Sequence, residues 1–129
     1  MTGTLDGLLK PAPPKHGELI FVSAPYSDPN PKVVDLRMTI FTAMMGLYAS
    51  RGETVVSPLW FHYAVKLDPA LASDWTFWKP YSESLLSRCA RMRILRIPGW
   101  DVSTGVTGER AYAETFDIPV EFADPPSGD

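Results

Sequence analysis

Apolar and polar positions fall into blocks along this chain, and each block keeps one period. Leu19-Ile20-Phe21-Val22 is a short unbroken apolar run, the pattern of a strand buried on both faces. Thr54-Val55-Val56 is a second, β-branched run, Met92 to Ile97 a third, and Pro119-Val120-Glu121-Phe122 a fourth. Between the first two, Val33, Val34, Met38, Phe41, Met45 and Tyr48 recur at helical spacing. Asn30 offers a cap for that helix, Pro31 suits its first position, and Gly52 supplies the stop. Residues 59 to 73 carry large side chains without a period and read as irregular. Asp74 is a cap for a short helix through Trp78, and Pro80 opens another to about Arg88. A last helix runs from about Gly105 to Phe116. Strands alternating with helices predict a parallel sheet covered on both faces.

Residues 1 to 17 read as an N-terminal arm. Pro11, Pro13 and Pro14 favour extended geometry there, while Leu5, Leu8 and Leu9 offer apolar contact to the body or to another subunit. Residues 18–123 form one domain, and 124–129 read as a flexible tail. A length of 129 residues, 45% of them hydrophobic, suits a single domain with its own core.

The net charge of -3 and the lack of a Lys/Arg run argue against a nucleic-acid polymer as partner. No run approaches a membrane span, and the amino-terminal residues lack the basic start and apolar core of a signal peptide. The expectation is therefore a cytoplasmic protein without a membrane partner. Cys89 is the sole cysteine and reads as a buried core thiol. His16 and His62 stand apart from it, so no metal site and no cofactor is expected.

The segment richest in chemistry is Gly99-Trp100-Asp101-Val102-Ser103-Thr104-Gly105-Val106-Thr107-Gly108-Glu109. It joins the third strand to the last helix, where open α/β sheets bind ligands. Spacing alone makes Glu109 a solvated helix residue or, if the loop holds a sugar, a carboxylate able to attack an anomeric carbon. Ser103 and Thr104 read as helix caps or as phosphate contacts. Ser23-Ala24-Pro25-Tyr26 follows the first strand and belongs at the same sheet edge, with Tyr26 a hydrogen-bonding candidate. His62 is a candidate acid–base residue, and Trp60, Phe61, Tyr63, Trp75, Trp78 and Tyr81 are candidate pocket walls. Arg37 faces either the site or solvent.

These segments, in this order, resemble the nucleoside 2-deoxyribosyltransferase-like superfamily, and a small bacterial and phage branch of it in particular. The likeness runs through Ile20 to Tyr26, Arg37, Gly52 to Leu59, Trp78 to Tyr81, Leu85 to Cys89, Gly99 to Asp101 and Gly105 to Glu109, covering about residues 19 to 122. It implies a flavodoxin-like or Rossmann-like three-layer α/β sandwich with a parallel sheet of four to five strands, usually assembled as a homo-oligomer. It implies cleavage of the N-glycosidic bond of a nucleoside or nucleoside 5'-monophosphate, with water or a second base as acceptor. The Gly-x-x-x-Glu spacing of Gly105 and Glu109 matches the family nucleophile. Ser103, six residues earlier, matches a phosphate contact of the nucleotide hydrolases. The resemblance makes Glu109 and Tyr26 catalytic, and Ser23, Ala24, Pro25, His62, Trp78, Ser82, Trp100, Asp101, Ser103 and Gly105 substrate-binding. Two acidic family positions are occupied here by Ser82 and Ala90; for the first, Glu83, Asp101 or His62 are the candidate replacements, or water protonates the leaving group. The alternative reading is a nucleotide-binding protein without catalysis, a sensor or sponge on the same fold. A third is an interaction protein that makes contact through its Pro-rich arm.

Overall fold

The computed structural model describes residues 17–68 and 70–126. The arm read over residues 1 to 17 lies outside them except for Gly17, as do residues 127–129 of the tail. Four strands, β1 (Leu19–Ser23), β2 (Thr54–Val56), β3 (Arg91–Leu95) and β4 (Val120–Ala123), form one sheet in the order β2-β1-β3-β4. Every pairing is parallel. The helices are α1 (Pro31–Ser50), α2 (His62–Leu67), α3 (Trp75–Leu86) and α4 (Thr104–Thr115), with 3-10 turns at Pro58–Phe61 and Trp100–Val102.

The side-chain alternation of β1 builds the three layers. Ile20 and Val22 point to α1 and pack on Met38, Phe41 and Met45. Phe21 points the other way, into a second cluster with Met92, Ile94, Leu86, Val106 and Ala113, where α3 and α4 cover the sheet. The chain is thus the expected α/β three-layer sandwich, with four strands.

Asn30 caps α1 by accepting from the Lys32 amide at 3.0 Å, Pro31 takes the first turn, and Gly52 leaves the helix at φ 85°. Two expectations need correction. Residues 59 to 73 are not irregular throughout: Ser57 Oγ accepts from the Leu59 amide at 3.2 Å and starts a 3-10 turn that passes into α2. Segment 74–88 is one helix rather than two, with Pro80 inside α3. The proline costs the Thr76 carbonyl its helical partner, but Thr76 and Pro80 are both exposed, so water can take that bond. Among the described residues no helix is long and apolar enough to cross a membrane.

Candidate active site

The strand order sets where a ligand fits. The chain steps outward from β1 to β2, then returns to β3 on the opposite side of β1. Connections therefore diverge at the carboxyl ends of β1 and β3 and leave a crevice between them. A cavity of about 510 Å³ occupies this crevice, within the range of small-molecule sites. Its lining comes from the turns after β1 and β2, from the start of α3 and from the start of α4.

Glu109 closes the inner end of this lining. It lies in the second turn of α4, is only 8% exposed, and its Oε1 accepts from the Ser23 hydroxyl at 2.6 Å. Burial raises the carboxyl's pKa to about 7, while the hydroxyls of Ser23 and Ser82 pull it back toward the charged form. A carboxyl with that balance changes charge near neutral pH, the property of a working acid, base or nucleophile. Ser82, 1% exposed on α3, is itself part of the lining. Where the resemblance expects an acid, this chain supplies a hydroxyl that supports Glu109.

The amino end of α4 opens on the same cavity through Ser103, Thr104 and Gly105. Ser103 caps the helix, its Oγ accepting from the Val106 amide at 3.2 Å and its carbonyl from Thr107 at 3.0 Å. The Thr104 and Gly105 amides have no partner among the described residues. Free first-turn amides with the positive end of the helix dipole favour an anionic group, so capping and phosphate contact are compatible here.

Tyr26 does not hydrogen-bond to Glu109. Its hydroxyl is 2.8 Å from His62 Nδ1, and both residues line the cavity. Burial, then Lys66, push the His62 pKa down, while Asp35 opposes them; burial raises that of Tyr26. Phe61, Trp75 and Trp78 supply aromatic wall, Phe61 lying 5.4 Å from Trp78 between ring centres. Trp75 rests on α4 at Gly105 and Gly108, where the glycines leave room for the indole.

Ser23, Ala24, Tyr26, His62, Trp78, Ser82, Ser103, Gly105 and Glu109 are therefore brought together as the sequence led one to expect. Pro25, Trp100 and Asp101 are not part of the lining. Pro25 is fully buried, Trp100 packs on Phe122 at 5.5 Å, and Asp101 faces solvent on the 3-10 turn. Trp60, Tyr63 and Tyr81 also fall outside, and Glu83 lies in a separate groove with Lys79 and Tyr112. Arg37 faces neither the cavity nor open solvent. It donates to the carbonyls of Tyr26, Ser27 and Pro98, tying the loop after β1 to the loop after β3. The sequence reading missed Ser57, Leu59, Val65 and Ser73 as lining and read Asp74 only as a cap. Asp74 does cap α3, accepting from Phe77 at 3.4 Å. The position of these residues after β2 was the available signal. Cys89 is a core thiol, with burial raising its pKa to about 11. Among the described residues no three His, Cys, Asp or Glu side chains cluster as metal ligands.

Fold and site together define an α/β protein with a buried carboxyl in a pocket at the switch point of a parallel sheet. A family model described as a domain of unknown function (DUF1937) matches residues 18–124, and the chain belongs to that family. No curated protein matches it.

Proposed function

We propose that this protein cleaves the N-glycosidic bond of a nucleoside 5'-monophosphate or nucleoside, with Glu109 as the nucleophile. The observation that carries the proposal is the Glu109 carboxyl itself, buried in the cavity and held by Ser23. An ionised carboxylate there attacks the anomeric carbon through an oxocarbenium-like transition state and forms a glycosyl ester as the C–N bond breaks; the base departs with that electron pair and takes a proton from water. The open amides at the start of α4 suit a phosphate, and the Phe61, Trp75 and Trp78 rings suit a flat base. The resemblance of Gly105 to Glu109 to the deoxyribosyltransferase-like nucleophile segment supports the same reading.

Incubation with a panel of nucleosides and their 5'-monophosphates, with chromatography of free base, tests it. Release is expected from the native protein and a drop of at least a thousandfold in Glu109→Gln. Release by Glu109→Gln at the native rate removes the mechanism. Ser82, standing where the resemblance expects an acid, favours a second reading, nucleotide binding without catalysis. Nucleotide held by the native protein and recovered intact after long incubation selects that reading.

A further inference from the structure

Nucleophilic attack by Glu109 leaves one polar assembly of the cavity without a task. Tyr26, from the loop after β1, and His62, at the start of α2, both line the cavity, and neither hydrogen-bonds to Glu109. The Tyr26 hydroxyl meets His62 Nδ1 at 2.8 Å. The other ring nitrogen, Nε2, lies 3.8 Å from Asp35 Oδ1 on α1, an ion-pair distance once the ring is protonated. Asp35 Oδ1 in turn takes Lys66 Nζ at 3.0 Å at the surface.

This order favours one direction for the hydrogen bond. A carboxylate facing Nε2 favours the tautomer with its proton there, which leaves Nδ1 bare to accept from Tyr26. The phenol oxygen then keeps its lone pairs for a molecule in the cavity. The groups facing the imidazole are Tyr26 from the β1 loop, Asp35 from α1, and Tyr63 and Lys66 from α2 itself. Burial and Lys66 keep the ring neutral at pH 7, and burial keeps the phenol protonated. A neutral imidazole with a carboxylate behind it is built to receive a proton rather than to supply one.

We propose that Tyr26 and His62 form the proton relay of the second half-reaction, Tyr26 touching the acceptor and His62 acting through it. The inference rests on the reading of Glu109 as nucleophile. Water, or the N–H of an acceptor base, approaches the anomeric carbon of the glycosyl ester. Its proton passes to the Tyr26 oxygen as the phenol proton passes to His62 Nδ1. The new bond to the anomeric carbon forms as the ester C–O bond breaks, and that electron pair returns to the Glu109 carboxylate. The imidazolium, held opposite Asp35, then releases its proton to solvent. Tyr26 is thereby a catalytic residue and His62 a positioning and proton-accepting residue behind it.

The test is rapid-quench measurement of base release by the native protein, Tyr26→Phe, His62→Gln and Glu109→Gln, with intact-mass detection of the glycosyl adduct. The relay predicts that Tyr26→Phe and His62→Gln still release about one base per site in a burst. Steady turnover then falls by about a hundredfold, the lower end of general-base effects, and the adduct accumulates. Added imidazole should restore turnover to His62→Ala, which a purely structural histidine would not allow. Native-like turnover in both variants overturns the relay, and so does equal slowing of burst and turnover without adduct. A failure of the underlying reading looks different: the native protein releases no base, or Glu109→Gln releases it normally, and nucleophile and relay fall together.

Discussion

Ser23 and Glu109 show how one hydrogen bond sets the working range of a buried acid. The carboxyl is pushed up by burial and pulled down by two hydroxyls, and the net result is about 7. The proposed nucleophile must be ionised, so on that reading activity should rise as pH climbs through this value. In Ser23→Ala the bond to Oε1 is lost and the charged form becomes costlier still. A hydrogen bond to a charged group contributes about 1.5–3 kcal/mol, and the rising limb should move up by about one pH unit or more. Profiles of kcat/KM against pH for both proteins check this, and an unmoved limb would show that Ser23 does not control the carboxyl. The pairing spans 86 positions and leaves no trace in local spacing, so the sequence offers Ser23 only as a substrate contact and not as the partner of Glu109. Ser103 was legible because a cap acts within three residues.

Two glycines of the helices make opposite demands on the same substitution. Gly46 is exposed in the middle of α1, and a Cβ there would meet nothing within 4 Å. Gly46→Ala should therefore gain close to the full helix-propensity difference, about 1 kcal/mol. Gly108 sits in α4 under Trp75, and a Cβ would approach the indole Cε2 and Nε1 at 2.6 and 2.9 Å. Overpacking of this kind costs about 1–3 kcal/mol, enough to outweigh the propensity gain. Gly108→Ala should lower stability and displace a wall of the cavity. Urea midpoints with tryptophan fluorescence measure both effects; stabilisation by Gly108→Ala would mean that Trp75 is free to move away. At this scale the sequence was readable wherever local chemistry decides. Asn30-Pro31, Gly52 and the apolar runs placed α1 and the strands within one or two residues. The helix α2 was hidden because Trp60-Phe61-His62-Tyr63 shows no polar–apolar period. Pro80 looked like a boundary because its solvent-facing setting, which makes it tolerable inside α3, comes only from packing.

The sheet separates ion-paired charge from the buried carboxyl of the cavity, and its two ends should therefore respond to acid in opposite senses. Near the amino ends of the strands, Arg93 holds Glu53 at 2.8 Å and Glu121 at 2.7 Å. The Arg93 hydrogen bond, against some desolvation, holds the Glu53 pKa below its ordinary value. Its contribution is present above about pH 4.5 and is lost as pH falls through the lowered value. At the carboxyl ends, Glu109 has its pKa raised from 4.5 to about 7. The folded protein takes up this proton before the unfolded chain does, so stability rises as pH falls from about 7 toward 4.5. The full difference is on the order of 3 kcal/mol. His62 works against this, since its lowered pKa lets the unfolded chain bind a proton first below about 6.5. Glu109 carries the larger shift and should dominate. Denaturation midpoints of the native protein should therefore climb between pH 8 and pH 5, then drop below about 4.5 as Glu53 is protonated. Glu109→Gln removes the ionisable group while keeping its shape. That variant should be more stable than the native protein at pH 8, and its midpoint should stay level or decline toward pH 5 as His62 acts alone. A native midpoint that does not climb, or a glutamine variant that follows the native curve, would show that the carboxyl in the cavity is already charged at low pH, and would place its pKa with that of an ordinary surface glutamate.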